Sequence, residues 1–256
     1  MERPQFGQPR QISNQSGEQA SPGMGGELLR GGAWQQGQEV GEAQQRVLRN
    51  TYLLLGVSMI PTLIGALFGV YTGFNLMAIG SPWIGLLLFF GIAYGLMFAV
   101  SRTKDSGMGV VFLLIFTLFM GVALSGLLQF ALGRFSNGGQ LIAMAAGGTG
   151  AIFFTLSGIA ATTRRDFSHW GKFLFVGLVV VFLAIIANLF FQIPALSLAI
   201  SAAILLLFCG YLLYDINRIV HGGETNYIMA TLSVYLDIYN IFVSLLRLLM
   251  ALAGED

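Results

Sequence analysis

Charge is the scarcest commodity in this chain. Only 10% of its 256 residues are Asp, Glu, Lys or Arg, against roughly 25% in an average soluble domain, which excludes an ordinary soluble enzyme. Cysteine occurs once, at Cys209 inside an apolar run, so there is neither a disulfide framework nor a thiolate metal cluster. Two histidines leave little from which to build an imidazole metal centre. The charges nearly cancel, 13 basic against 12 acidic for a formal net of +1, and nothing in that balance calls for nucleic acid or a polyanionic substrate. What is abundant is apolar surface, 55% of the residues, and the partner it implies is lipid.

The composition changes sharply near residue 46. Residues 1 to 45 hold ten Gln and nine Gly with scattered charges, too little apolar surface to offset the entropy of ordering. They are expected to form a disordered cytoplasmic tail, with residues 46 to 256 as the membrane domain. The tail contains no apolar stretch of the kind a cleavable secretory signal needs, so the first apolar helix is expected to be retained.

From Tyr52 onward seven apolar runs are each long enough to cross about 30 Å of hydrocarbon, which takes roughly 20 helical residues. Their expected spans are 51 to 72, 82 to 101, 107 to 131, 140 to 161, 171 to 191, 196 to 219 and 227 to 252. The runs are continuously apolar, not alternating, which favours helices over a barrel. The fold class is therefore an all-α integral membrane protein of seven transmembrane helices. Arg46 and Arg49 precede the first run, Arg102 and Lys104 follow the second, Arg164, Arg165 and Lys172 flank the loop after the fourth, and Arg218 ends the sixth. By the positive-inside rule the N-terminus is cytoplasmic and the C-terminus outside. Arg247, near the outer end of the last run, goes against that pattern. The glycines 147, 148 and 150 in the fourth run are expected to bring helices close together, since they lack the lysine of a phosphate-binding loop.

Asp237 stands out among the charges. It lies ten residues into the last span, about 15 Å from its start and near mid-bilayer, where a carboxylate is costly and marks a functional site by default. Ser233, Asp237, Asn240, Ser244 and Arg247 follow at spacings of four, three, four and three, which puts all five on one helix face. Such a stripe turns toward the bundle interior, so the seventh helix is expected to be central and to face the sixth. The sixth helix carries Asp215. By loop counting Asp237 lies about 9 Å deeper than Asp215, so a meeting of the two requires an inward-folded loop or a stagger or tilt of the helices. Asp215 could instead pair with Arg218, one turn on. If the aspartates do meet, they cannot both ionise cheaply, and the pair behaves as one proton-sensing unit. A shared proton would clamp the helices, and loss of it would part them and expose up to four oxygens suited to calcium.

Enzymatic readings fare poorly, and no catalytic residue or cofactor is expected. The Tyr214–Asp215 pair resembles half of an intramembrane aspartic protease, but Asp237 follows Val-Tyr-Leu where such proteases carry a Gly-x-Gly-Asp segment. No histidine lies within a span to activate Ser125 or Ser157, and the two lysines, Lys104 and Lys172, lie far from the last helix, where a retinal protein needs one.

The segments Tyr-Asp-Ile-Asn at 214 to 217, His-Gly-Gly-Glu-Thr-Asn-Tyr-Ile at 221 to 228 and Ser-Val-Tyr-Leu-Asp-Ile-Tyr-Asn-Ile-Phe-Val-Ser-Leu-Leu-Arg at 233 to 247 resemble the Bax inhibitor-1 family. The similarity extends from Val-Leu-Arg-Asn-Thr-Tyr at 47 to 52 through the whole membrane part and leaves out the tail. The resemblance implies seven helices around a central last one and, as in some members, a pH-dependent calcium leak governed by two aspartates, matched here by Asp215 and Asp237. It also implies a gating arginine near the cytoplasmic end of the second helix, for which Arg102 is the nearest match. The Val-Leu-Arg-Asn-Thr-Tyr and His-Gly-Gly-Glu-Thr-Asn-Tyr-Ile stretches most resemble the bacterial YccA-like branch, whose members restrain a membrane-anchored ATP-dependent metalloprotease through a cytoplasmic tail. Two expectations follow: a proton-regulated calcium leak of a bacterial inner membrane with Asp215 and Asp237 as sensor and transient ion ligands, or a regulator of such a protease acting through residues 1 to 45.

Overall fold

The computed structural model describes the backbone of residues 24–76, 79–80, 82–163 and 165–254, and their side chains from residue 41 onward, residue 82 excepted. All seven expected spans are helices. They are α1 (Met24–Thr72), α2 (Pro82–Thr103), α3 (Gly107–Arg134), α4 (Gly138–Thr162), α5 (Trp170–Phe191), α6 (Pro194–Val220) and α7 (Tyr227–Ala253). Each has a stretch long and apolar enough to cross a membrane, that of α1 being Gly41–Thr72. Residues 1–23 of the expected tail lie outside the described residues, and helix is assigned from Met24 onward. Residues 42–256 form one compact unit that contains the bundle.

The last helix is central, as its polar stripe predicts. It packs against α2, α3, α4 and α6 and reaches α1 through two hydroxyl contacts, Thr62 Oγ1 to Tyr235 Oη at 2.8 Å and Thr231 Oγ1 donating to the Thr51 carbonyl at 3.4 Å. Phe116 of α3, Leu212 and Ile216 of α6, and Val234, Tyr235 and Ile241 of α7 make the closed centre. The opposite extreme is α5, which packs on α6 and buries only Leu174 among its side chains. Its exposed faces carry Phe173, Phe175, Phe182, Phe190 and Phe191, a surface that lipid solvates and water does not.

Close packing comes from glycines, but not from those the sequence singles out. A Cβ on Gly65 of α1 would collide with the Leu118 carbonyl, and one on Gly121 of α3 with the Thr62 carbonyl. The two helices therefore touch backbone to backbone, the small-residue crossing that substitutes for a hydrophobic driving force in lipid. Gly147 and Gly150 have nothing within 4 Å of such an atom, and Gly148 meets only Leu245 Cδ1 at 3.4 Å. The expectation for the α4 cluster is thus corrected. Gly150 borders a cleft of about 670 Å³ between α1, α3, α4 and α7, and leaves it open.

The α6–α7 connection sets the register of the two aspartates. Helix α6 ends with Gly222 at φ +77°, and the N–H of Gly223 donates back to the Arg218 carbonyl at 2.8 Å, a left-handed helix stop that favours glycine. Asn226 then begins α7. Its Oδ1 accepts from the N–H groups of Ile228 and Met229 at 3.0 and 3.1 Å, and its Nδ2 donates to the Lys104 carbonyl and Asp105 Oδ1, both at 3.0 Å. One side chain thus caps the central helix and moors it to the α2–α3 loop. Asn226→Ala is expected to cost about 1–2 kcal/mol, measurable as a lowered thermal midpoint of the purified protein in detergent.

Candidate functional site

Asp215 and Asp237 meet. Their carboxyls come within hydrogen-bonding reach of each other, with Asp237 only 3% exposed and Asp215 half-buried. Asp215 lies five residues before the end of α6 and Asp237 ten after the start of α7, a mismatch of about 7 Å along the axes. The packing of α6 on α7 takes up that offset. Residues 223–226 between the helices are irregular, and Asn226 holds the start of α7 on the α2–α3 loop.

The surroundings of the pair are almost free of countercharge. Oδ2 of Asp237 is buried and has no hydrogen-bond donor facing it among the described residues. Arg218, a turn beyond Asp215, turns to the loop instead: Nη2 pairs with Glu224 Oε2 at 3.3 Å and Nε donates to the Gly223 carbonyl at 3.0 Å. That is the one ion pair among the described residues, so the simple Asp215–Arg218 helix-end pair is not what the side chains adopt. Tyr211 and Cys209, also on α6, lie near enough to feel the charge of Asp237. The remaining groups that influence Asp215 are Arg218 and Glu224.

The other sequence candidates are not gathered here. Arg102 is exposed at the end of α2, its guanidinium carbon 5.3 Å from the centroid of the Phe98 ring, an intrahelical cation–π contact and not an approach to the aspartates. Ser233 is half-buried. Asn240 donates to its own helix, Nδ2 to the Leu236 carbonyl at 2.8 Å. Ser244 is buried. Arg247 is exposed and borders a separate cavity formed with α5 and α6. The stripe is continuous on the helix surface but serves several environments, because so central a helix has different neighbours along its length.

The structure adds polar residues that spacing alone did not single out. Tyr235, 1% exposed, bonds Thr62 and lies 3.5 Å from the Thr117 carbonyl, joining α1, α3 and α7. Asn217, fully buried in α6, donates to the Arg165 carbonyl at 3.0 Å and accepts from the Phe167 N–H at 2.9 Å, which fixes the α4–α5 loop. These partners are 50 to 173 residues apart, and no local pattern announces them. In that loop the Asp166 carboxyl accepts from the hydroxyl and N–H of Ser168, which hold it below the usual carboxylate range.

Chemically, two facing carboxyls in a dry bundle can share a proton or, once ionised, repel and offer oxygens to a cation. Among the described residues no group of three or more His, Cys, Asp or Glu gathers at one place. The pair by itself falls short of the six to eight oxygens that calcium takes.

Comparison with known proteins agrees with this architecture. A protein of Neisseria meningitidis serogroup A is 40% identical over 215 residues, covering 84% of this chain and 94% of the relative. A protein of Escherichia coli K12 named modulator of FtsH protease YccA is 44% identical over 204 residues, covering 80% of this chain and 89% of its own length. A Vibrio cholerae membrane protein is 40% identical over 212 residues, with 82% and 92% covered. The family model described as inhibitor of apoptosis-promoting Bax1 matches residues 44–254, which run from near the start of the first span to the end of α7. With the seven helices in place and α7 at their centre, the chain is an integral membrane protein that belongs to the Bax inhibitor-1 family.

Proposed function

We propose that this chain is a non-enzymatic regulator of a membrane-anchored ATP-dependent metalloprotease in a bacterial inner membrane. The observation that carries the reading is the 44% identity to a relative named as a modulator of FtsH protease. Residues 1–43 precede the family match, and their polar, Gln- and Gly-rich composition suits contact with a cytoplasmic protease domain, the bundle holding them at the membrane surface. The test is reconstitution of the full chain with an FtsH-type protease and a membrane substrate. Full-length chain should co-purify with the protease and slow degradation, and a chain lacking residues 1–40 should lose both effects. Unchanged degradation and no association would overturn the reading, and association that survives the deletion would overturn the role of the N-terminal segment.

A second reading rests on a different observation, the buried contact of Asp215 with Asp237. In it the pair shares a proton at acid pH and holds α6 to α7. As the pH rises and both carboxyls ionise, repulsion across a medium of low dielectric loosens that contact. Asp215, with Arg218 and Glu224 beside it, is the side from which solvent and ions arrive, since Asp237 is the deeper of the two. Calcium enters this scheme as cargo, with water completing its shell, and no resident cofactor is invoked. The two readings involve different parts of the chain and are compatible.

A further inference from the structure

Arg247 is the cationic side chain that the positive-inside pattern leaves unexplained, and its surroundings suggest a use for it. It lies six residues before the end of α7 and opens into a cavity of about 650 Å³ whose other walls come from α5 and α6. Its polar lining includes Gln192 of the α5–α6 turn, Asn188 on α5, and Ser197 and Ser201 on α6. Its apolar lining includes Ile185 on α5 and Ile204 on α6, each about two to three turns inward of the turn, and Ala251 on α7. Among the described residues no carboxylate pairs with Arg247. The turn is rigidly made. Asn188 donates from Nδ2 to Ser197 Oγ at 2.6 Å and accepts the Ile193 N–H at Oδ1 at 3.1 Å, while Gln192 closes it at φ +50°. Because Ser197 Oγ accepts that bond, its own O–H remains a donor. The cavity therefore presents a guanidinium and a hydroxyl donor at the level where helices turn, and an apolar wall running inward from them.

We propose that this cavity binds one anionic phospholipid, its phosphate on Arg247 and Ser197 and an acyl chain along Ile185 and Ile204. A charged guanidinium at the margin of a hydrocarbon layer needs an anion or water, and its planar fork matches a phosphate through paired N–H bonds. A wall of aliphatic side chains selects a chain-bearing ligand over a free ion. The site is separate from the aspartate pair, since Asp237 precedes Arg247 by ten residues on α7, about 15 Å along the axis.

The experiment is native mass spectrometry of the full-length protein in detergent, titrated in parallel with phosphatidylglycerol, phosphatidylcholine and inorganic phosphate. One tightly retained phosphatidylglycerol is expected, with Arg247→Gln lowering retention by about tenfold, the scale of a lost charge-assisted hydrogen bond. Ile204→Phe, which keeps the arginine and fills the apolar wall, should lower retention similarly, and its lipid-free thermal midpoint serves as the control for folding. Equal retention of phosphatidylcholine would mean that Arg247 merely snorkels toward any headgroup and would overturn the proposal. So would displacement of the lipid by inorganic phosphate, which would reveal a plain anion site. Retention unchanged in Arg247→Gln would show that the lipid does not sit on this arginine and would overturn the proposal.

Discussion

Asp237→Asn is expected to flatten the pH dependence of calcium flux into liposomes holding the purified protein, so that the ratio of flux at the alkaline and acid ends of the series falls to about one. The sign follows from the pair. With a proton shared, α6 and α7 are held together and flux is low. With both carboxyls ionised they repel, and flux is high. Asparagine removes the second ionisation and keeps the contact, because its amide can donate to the Asp215 carboxylate. The substituted protein is therefore expected to fold and to stay in the low-flux state at every pH. Asp215→Asn should behave alike, and the double substitution should add little to either single one, since interacting sites act as one unit and not as two additive ones. Flux that keeps its pH dependence in Asp237→Asn would remove the leak reading and leave the protease reading as it stands.

Gly121→Ala is expected to produce the largest loss of stability from the smallest addition. Its new methyl would fall on the Thr62 carbonyl, a backbone atom that cannot rotate aside, so α1 and α3 must separate along their crossing. Overpacking of this kind costs about 1–3 kcal/mol, and the upper end applies here because Gly65 meets the Leu118 carbonyl in the same crossing. Separation would also pull Thr62 from Tyr235, a 2.8 Å bond worth about 1 kcal/mol. Gly147→Ala serves as the comparison. Nothing lies within 4 Å of the added atom, and alanine gains up to about 1 kcal/mol of helix propensity over glycine. Thermal unfolding in detergent should therefore move in opposite directions for the two variants. Equal shifts would mean that the α1–α3 contact does not set the stability of the bundle.

The gating reading of Arg102 shows where a matched position stops being informative. Its place at the end of α2 agrees with the expected span to within two residues, yet the guanidinium lies on Phe98 of its own helix. Position along a helix follows from hydropathy, whereas the direction of a long, flexible side chain depends on what neighbouring helices offer it. The α4 glycines make the same point for packing. Small residues permit close approach, and whether a helix comes close depends on the far side, which for Gly150 is an open cleft and for Gly121 is the backbone of α1.

The sequence by itself determined the seven spans, the polar face of α7 and the two aspartates, because the cost of placing charge and unpaired backbone in hydrocarbon is a local property that residue type and run length express directly. Only the tertiary structure decided that Asp215 and Asp237 touch. That contact depends on the packing of α6 against α7 taking up an offset of about 7 Å by residue count, with the start of α7 moored by Asn226 on the α2–α3 loop. It also decided that Arg218 belongs to Glu224, that Tyr235 ties three helices together, and that Arg247 opens onto a cavity of its own. Apart from the Arg218–Glu224 pair, which the local turn after α6 makes, these join residues whose meeting depends on how whole helices cross and rotate, and that is fixed by the packing of the entire bundle.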